Sequence, residues 1–171
     1  QDVLDLYSYT EPLAGDRYWV AAATGNWSDS NNWAASSGGA GGAQVPLSTH
    51  TVIFDGADQK NGNCVIDGNV TVRKLDIIGS TGILTANGHT VAVGSLAQTS
   101  GAVWLGTSSF IIGGDLNITG GNFDAGTSTV IFRRTSGSQI VQMHGRSLAT
   151  VISSNTSSSG LTFSSSFTAA K

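Results

Sequence analysis

Short runs of alternating apolar and polar residues, separated by glycine, fill the middle of the chain. Written in rows, residues 70–90 are VTVRKLDIIGSTGILTANGHT, 91–110 are VAVGSLAQTSGAVWLGTSSF and 111–130 are IIGGDLNITGGNFDAGTSTV. Leu75, Leu96 and Leu116 fall in one column, 21 and 20 residues apart. Gly82, Gly101 and Gly121 align behind them, and Asn87-Gly88, Gly106 and Gly126 mark a second turn. Each row reads as a short strand, a glycine turn, a second short strand and a polar glycine turn. The tetrapeptide TVIF occurs twice, at 51–54 and 129–132. No segment carries a helical period.

A repeat near twenty residues with β-branched strands and glycine corners predicts an all-β parallel β-helix, or β-solenoid, with rungs of about 20 residues. One such rung cannot bury its inward side chains alone. Stacking the next rung pairs the backbone and covers the core, so Leu75, Ile77, Leu96, Leu116 and Ile118 are expected to form aliphatic columns. Glycine suits corners that need positive φ. The alternative is an antiparallel β-sandwich, also built of short strands with turns every 8–12 residues. The repeat favours the solenoid because it keeps its length and aligns both leucine and glycine.

The ends differ from the middle. Residues 1–15, QDVLDLYSYTEPLAG, are acidic, with apolar residues at Val3, Leu4, Leu6, Tyr7 and Tyr9. They form either an assembly arm that adds to another surface as a strand or a terminus without such a role. Residues 16–50 hold the aromatic stretch YWVAAATGNWSDSNNW and a Gly/Ala/Ser loop, AASSGGAGGAQVPLSTH. Residues 51–171 are the rungs, Ser-rich towards the end but with Leu161, Phe163 and Phe167 at strand-like spacing. An uncovered last rung would expose its sheet edge. Either more chain follows Lys171 or a partner covers that end.

The stretch from Tyr18 to Trp33 holds three of the four tryptophans. The first rung of a solenoid has nothing beneath it, and large aromatic side chains can close its core. An aromatic N-terminal cap is therefore expected. The other reading gives Trp27, Trp33 and Trp104 to a glycan, as stacking platforms. Trp104 sits in AVWLG. If Val103 and Leu105 face inwards, Trp104 points out.

Composition narrows the function classes. Apolar residues make up 39 % and charged residues 11 %, with 23 Gly and 2 Pro. The net charge is −3, and Arg133-Arg134 is the longest cationic run. Nucleic acid is excluded as a partner, since phosphate neutralisation needs clustered Lys and Arg. No apolar stretch approaches the roughly 18 residues of a membrane span. The single Cys64 rules out an internal disulfide and reads as a small buried hydrophobe in CVID. A start at Gln1 instead of Met suggests a processed product or a piece of a longer protein. Low charge and Ser/Thr richness point to an extracellular or virion location.

The stretch from Gly15 to Gly56, GDRYWVAAATGNWSDSNNWAASSGGAGGAQVPLSTHTVIFDG, resembles the opening of a large set of bacteriophage and bacterial surface proteins. Their pattern is R-Y-W-V, then G-N-W-S-D, N-W, a Gly/Ser/Ala loop, V-P and V-x-F-D, followed by loose Gly/Ser/Thr/Val repeats. The likeness covers about forty residues. Ala21-Ala22-Ala23 stands where the pattern has glycines. The resemblance implies a structural or adhesive β-solenoid on a virion (a fibre, spike or head decoration) or on a cell surface. It implies no activity.

Chemistry is sparse. His50, His89 and His144 lie far apart, without metal-ligand spacing. Glycoside cleavage needs two carboxylates flanking one bond. Stacking would supply such a pair only if Asp76 met Asp115 or Asp124 on one face. There is no G-x-S-x-G elbow and no phosphate loop. GGDLNITGGNFD lacks the G-G-x-G-x-D register of calcium repeats. Asn26, Asn69, Asn117 and Asn155 head N-x-S/T triplets, which chance explains in so Ser/Thr-rich a chain. No catalytic residue, metal site or cofactor is assigned. The expected function is a non-enzymatic structural protein that assembles with copies of itself or with a capsid or cell-surface protein. The alternatives are a carbohydrate-binding module that recognises surface glycans and, more weakly, a polysaccharide-degrading tailspike fragment.

Overall fold

The computed structural model describes residues 15–169. Val3, Leu4, Leu6, Tyr7 and Tyr9, expected as an assembly arm, lie outside the described residues.

The chain winds into a stack of three-sided coils, about five turns in all. The first face stacks Val70–Val72, Thr90–Val93, Ser109–Ile112, Thr129–Phe132 and Thr150–Ser153. The second stacks Asp16–Trp19, Thr51–Phe54, Lys74–Ile77, Ser95–Gln98, Leu116–Ile118, Gln139–Gln142 and Leu161–Phe163. The third stacks Gly25–Asn26, Cys64–Val65, Ile83–Thr85, Ala102–Trp104 and Asn122–Asp124. These pairings are all parallel, which excludes the antiparallel sandwich. Only Asp16–Trp19 with Trp33–Ala34 is antiparallel among the described residues.

The first two faces belong to one sheet because the strands Val70–Ile77 and Thr90–Gln98 run through both. The bend between the faces falls at Gly94. A Cβ there would lie 2.1 Å from the Arg73 carbonyl oxygen, so only glycine lets the two backbones approach so closely. The glycine columns seen in the sequence also stack. Ala102 N–H donates to the Gly82 carbonyl at 3.0 Å, and Asn122 N–H to Gly101 at 2.9 Å.

The core is a set of columns running up the solenoid. Val52, Leu75, Leu96, Leu116 and Val141 are in register and at most 1 % exposed. Ile77 and Ile118 are buried on the same face. Cys64, Leu84, Val103 and Phe123 form the inward column of the third face. Each such aliphatic side chain contributes roughly 1.5–3 kcal/mol on leaving water. The two TVIF segments occupy different faces. Thr51–Phe54 pairs with Lys74–Ile77, whereas Thr129–Phe132 pairs with Ser109–Ile112. Local sequence makes both of them strands, and position in the coil decides which wall each joins.

The ends of the stack are unlike. At the first coil, Trp19, Trp27 and Trp33 are 1 %, 3 % and 0 % exposed. Trp33 lies edge-on to Trp19 (centroids 5.0 Å) and to Trp27 (4.7 Å), and Trp19 stacks on Phe54 at 5.7 Å. This is the expected aromatic cap. The indole nitrogens are satisfied: Trp19 donates to the Gly62 carbonyl and Trp33 to the Trp27 carbonyl, both at 2.7 Å. The backbone of the segment is woven into the first coil, since Asp16–Trp19 pairs directly with Thr51–Phe54. At the other end, Thr150–Ser153 pairs on one side only, with Thr129–Phe132, among the described residues. Val151 continues the inward column of Val130, yet Val151 is 36 % exposed where Val130 is fully buried.

Candidate functional site

The structure separates the three tryptophans expected as stacking platforms. Trp27 and Trp33 are sealed inside the cap and offer no ring face to a ligand. For them the platform reading is overturned, because both indoles are buried in closing the first coil. Trp104 is 42 % exposed. Its neighbours Val103 and Leu105 are each 1 % exposed, so strand alternation turns the indole outwards.

Trp104 sits on the third face between Thr85 of the preceding coil and Asp124 of the following one. Beside it the corner glycines Gly88, Gly106 and Gly126 all adopt positive φ, at 80°, 57° and 54°. A Cβ on Gly126 would lie 2.7 Å from the Gly106 carbonyl oxygen, so the stacked backbone leaves no room for a side chain at 126. The result is a shallow groove of about 470 Å³ lined by Thr85, Asn87, Trp104, Thr107, Asp124 and the three glycines. Asp124 Oδ1 accepts from Gly126 N–H at 2.8 Å. Sequence reading found Trp104 but not the residues around it. The glycine alignment at 88, 106 and 126 was the available signal for the floor.

The other chemically equipped residues do not converge. Asp76 is in register with Ile53 and Ala97, not with Asp115 or Asp124, and is paired with Lys74 at 2.9 Å. Asp115 faces Arg134 at 3.5 Å and accepts from Ile140 N–H at 2.9 Å. The two carboxylates that a glycosidase needs are thus tied into separate local contacts. His50 is buried, and its Nδ1 accepts from Leu47 N–H at 2.8 Å. That bond holds the turn before Thr51. Cys64 is fully buried, and burial pushes its thiol pKa well above 9.0. It remains a protonated, unreactive side chain. Among the described residues no group of three or more His, Cys, Asp or Glu side chains could hold a metal ion.

Near the cap, a groove of about 550 Å³ lies between the loop residues Val45–Leu47 and the turn Asp67–Thr71. Asp67 is its charged residue. Its carboxylate accepts from Ser28 Oγ at 2.5 Å and from Ser28 N–H at 3.0 Å. The hydroxyl bond leads the contributions that hold its pKa below 3.8. The bonds pin GNWSD to the turn of the next coil, a structural use of the carboxylate. Among the described residues, no helix is long and apolar enough to cross a membrane.

Sequence reasoning missed two buried amides. Gln139 Nε2 donates to the carbonyls of Ile112 (2.9 Å) and Gly114 (2.7 Å), and its Oε1 accepts from Asn155 at 3.0 Å. Gln98 Nε2 donates to Asn122 at 3.0 Å. Both side chains satisfy corner carbonyls from inside the coil, a role set by register. A comparison with protein-family models, curated proteins and solved structures gave no match.

Proposed function

We propose that the chain is a non-enzymatic structural protein of a virion or cell surface, a β-solenoid subunit that assembles with copies of itself. The observation that carries this reading is the contrast between its two ends. The first coil is closed by three buried tryptophans and by the two-residue strand Trp33–Ala34, a short edge of the kind that resists pairing. The last coil offers the four-residue strand Thr150–Ser153 with one side unpaired among the described residues. Val151 and Ile152 there are 36 % and 44 % exposed. An edge with unpaired backbone groups and apolar side chains is a template for another strand. The apolar residues expected as an assembly arm, Val3, Leu4, Leu6, Tyr7 and Tyr9, lie outside the described residues and are the proposed source of that strand in a second copy. The scattered carboxylates support a role without catalysis.

The test is the assembly state of the full chain, by multi-angle light scattering with electron microscopy. Defined oligomers or filaments that fall apart in Ile152→Lys are the expected result. A monomer that stays monomeric at high concentration, and binds neither virion nor cell surface, overturns the proposal.

A further inference from the structure

We propose that the groove beside Trp104 is a binding site for a neutral saccharide. It goes beyond the assembly reading, because a monomer suffices to form it. The groove is built within one subunit by three successive coils. Trp104 provides a flat apolar wall, and the stacked corner glycines Gly88, Gly106 and Gly126 expose backbone beside it. Its volume of about 470 Å³ lies within the roughly 300–1,000 Å³ of small-molecule clefts.

The rim matches a ring of hydroxyls. Among the described residues, the side chains of Thr85, Asn87 and Thr107 make no hydrogen bond within the chain, and only Oδ1 of Asp124 is engaged. An amide, two hydroxyls and a carboxylate oxygen can accept from or donate to sugar hydroxyls. A pyranose ring is amphipathic in the same way, with C–H groups on its faces and hydroxyls at its edge. The face packs on indole, and the edge meets the polar rim. Asp124 is the charged residue of the groove. It disfavours uronates and other acidic sugars, so a neutral ligand is favoured over an acidic one. A peptide fits less well. The strand Ala102–Trp104 is already paired on both sides, with Ile83–Thr85 and Asn122–Asp124, which leaves no edge for a strand to join.

The buried tryptophans make the test selective. Trp19, Trp27 and Trp33 are at most 3 % exposed, so quenching of native fluorescence by acrylamide reports mainly on Trp104. The full chain is titrated with soluble β-glucan, mannan and galactan oligosaccharides, and with oligogalacturonate as the acidic control. At least one neutral series is expected to protect Trp104 from the quencher. By calorimetry, Trp104→Ala should weaken that binding by about tenfold or more, equivalent to about 1.4 kcal/mol. Trp104→Phe should recover part of the loss, and Asp124→Ala should weaken binding with the indole still in place. Both positions are on the surface, and unchanged circular dichroism checks that each variant is folded. Absence of protection by every neutral series overturns the proposal. So does unaltered affinity in Trp104→Ala, or oligogalacturonate binding as tightly as the neutral sugars.

Discussion

Replacing Trp33 by alanine tests whether the aromatic cluster is a plug. The side chain is fully buried and touches Trp19, Trp27 and Phe54, with ring centroids 5.0, 4.7 and 6.0 Å away. A buried tryptophan removes about 150–250 Å² from water. At about 25 cal/mol per Å² that corresponds to about 4–6 kcal/mol, close to the 3–5 kcal/mol typical of large aromatic truncations. The substitution also deletes the donor to the Trp27 carbonyl, at a cost of about 1 kcal/mol. The expected loss is about 5 kcal/mol, a large part of the roughly 5–15 kcal/mol that holds a domain folded. Coils of a solenoid contact only their neighbours, so the damage should begin at the first coil and spread. Urea unfolding followed by circular dichroism measures the loss, and amide exchange should show residues 51–65 opening before residues 109–132. Trp104→Ala is the control, with an expected change within about 0.5 kcal/mol. A loss below about 1 kcal/mol in Trp33→Ala would refute the plug, as would equal losses in the two variants.

Two further outcomes follow from buried groups. Gln139→Leu keeps the volume but leaves the Gly114 carbonyl without its side-chain donor, so it should cost about 1–3 kcal/mol in the same urea assay, against little change for a surface glutamine such as Gln44. Cys64 has a folded pKa raised by burial above its ordinary 9.0, so its protonated form is favoured by folding. That contribution is fully present below 9.0 and is lost as pH rises through the raised folded value. The urea midpoint of the parent chain should therefore fall more steeply above 9.0 than that of Cys64→Ala, and parallel curves would show that the thiol ionises equally in both states.

What could be read in the sequence was what repeats. Leu75, Leu96 and Leu116 announced a column because each coil between them has nearly the same length. The column goes on to Val141, 25 residues further, and the longer interval hid it. The added length lies in the polar corner RRTSGS at 133–138, where extra residues loop out without disturbing the walls. Gln98 shows a different limit. It stands in the column of Ile77 and Ile118, where pattern alone asks for an apolar side chain. Its amide serves the Asn122 carbonyl of the next corner, a contact 24 residues away along the chain. Trp104 could be assigned an outward side from alternation alone. Its groove could not, since Asn87 and Asp124 reach it only through the stacking of separate coils.

The form of the assembly would tell which surfaces meet. Two copies that pair through Thr150–Ser153 alone present the same edge to each other, an isologous contact that closes at a dimer. The exposed Val151 and Ile152 would then lie at a two-fold axis, and the opposite end would present, among the described residues, only the two-residue edges Gly25–Asn26 and Trp33–Ala34, too short to recruit a further copy. If instead the segment 1–14 of one copy adds to the last coil of the next, the contact joins unlike surfaces. It then generates rings or filaments. Deleting residues 1–14 separates the two cases. A dimer that survives the deletion places the contact on the exposed strand, while a ring or filament that dissolves into monomers assigns it to the arm. Ile152→Lys disrupts both forms, because either one covers the same open coil.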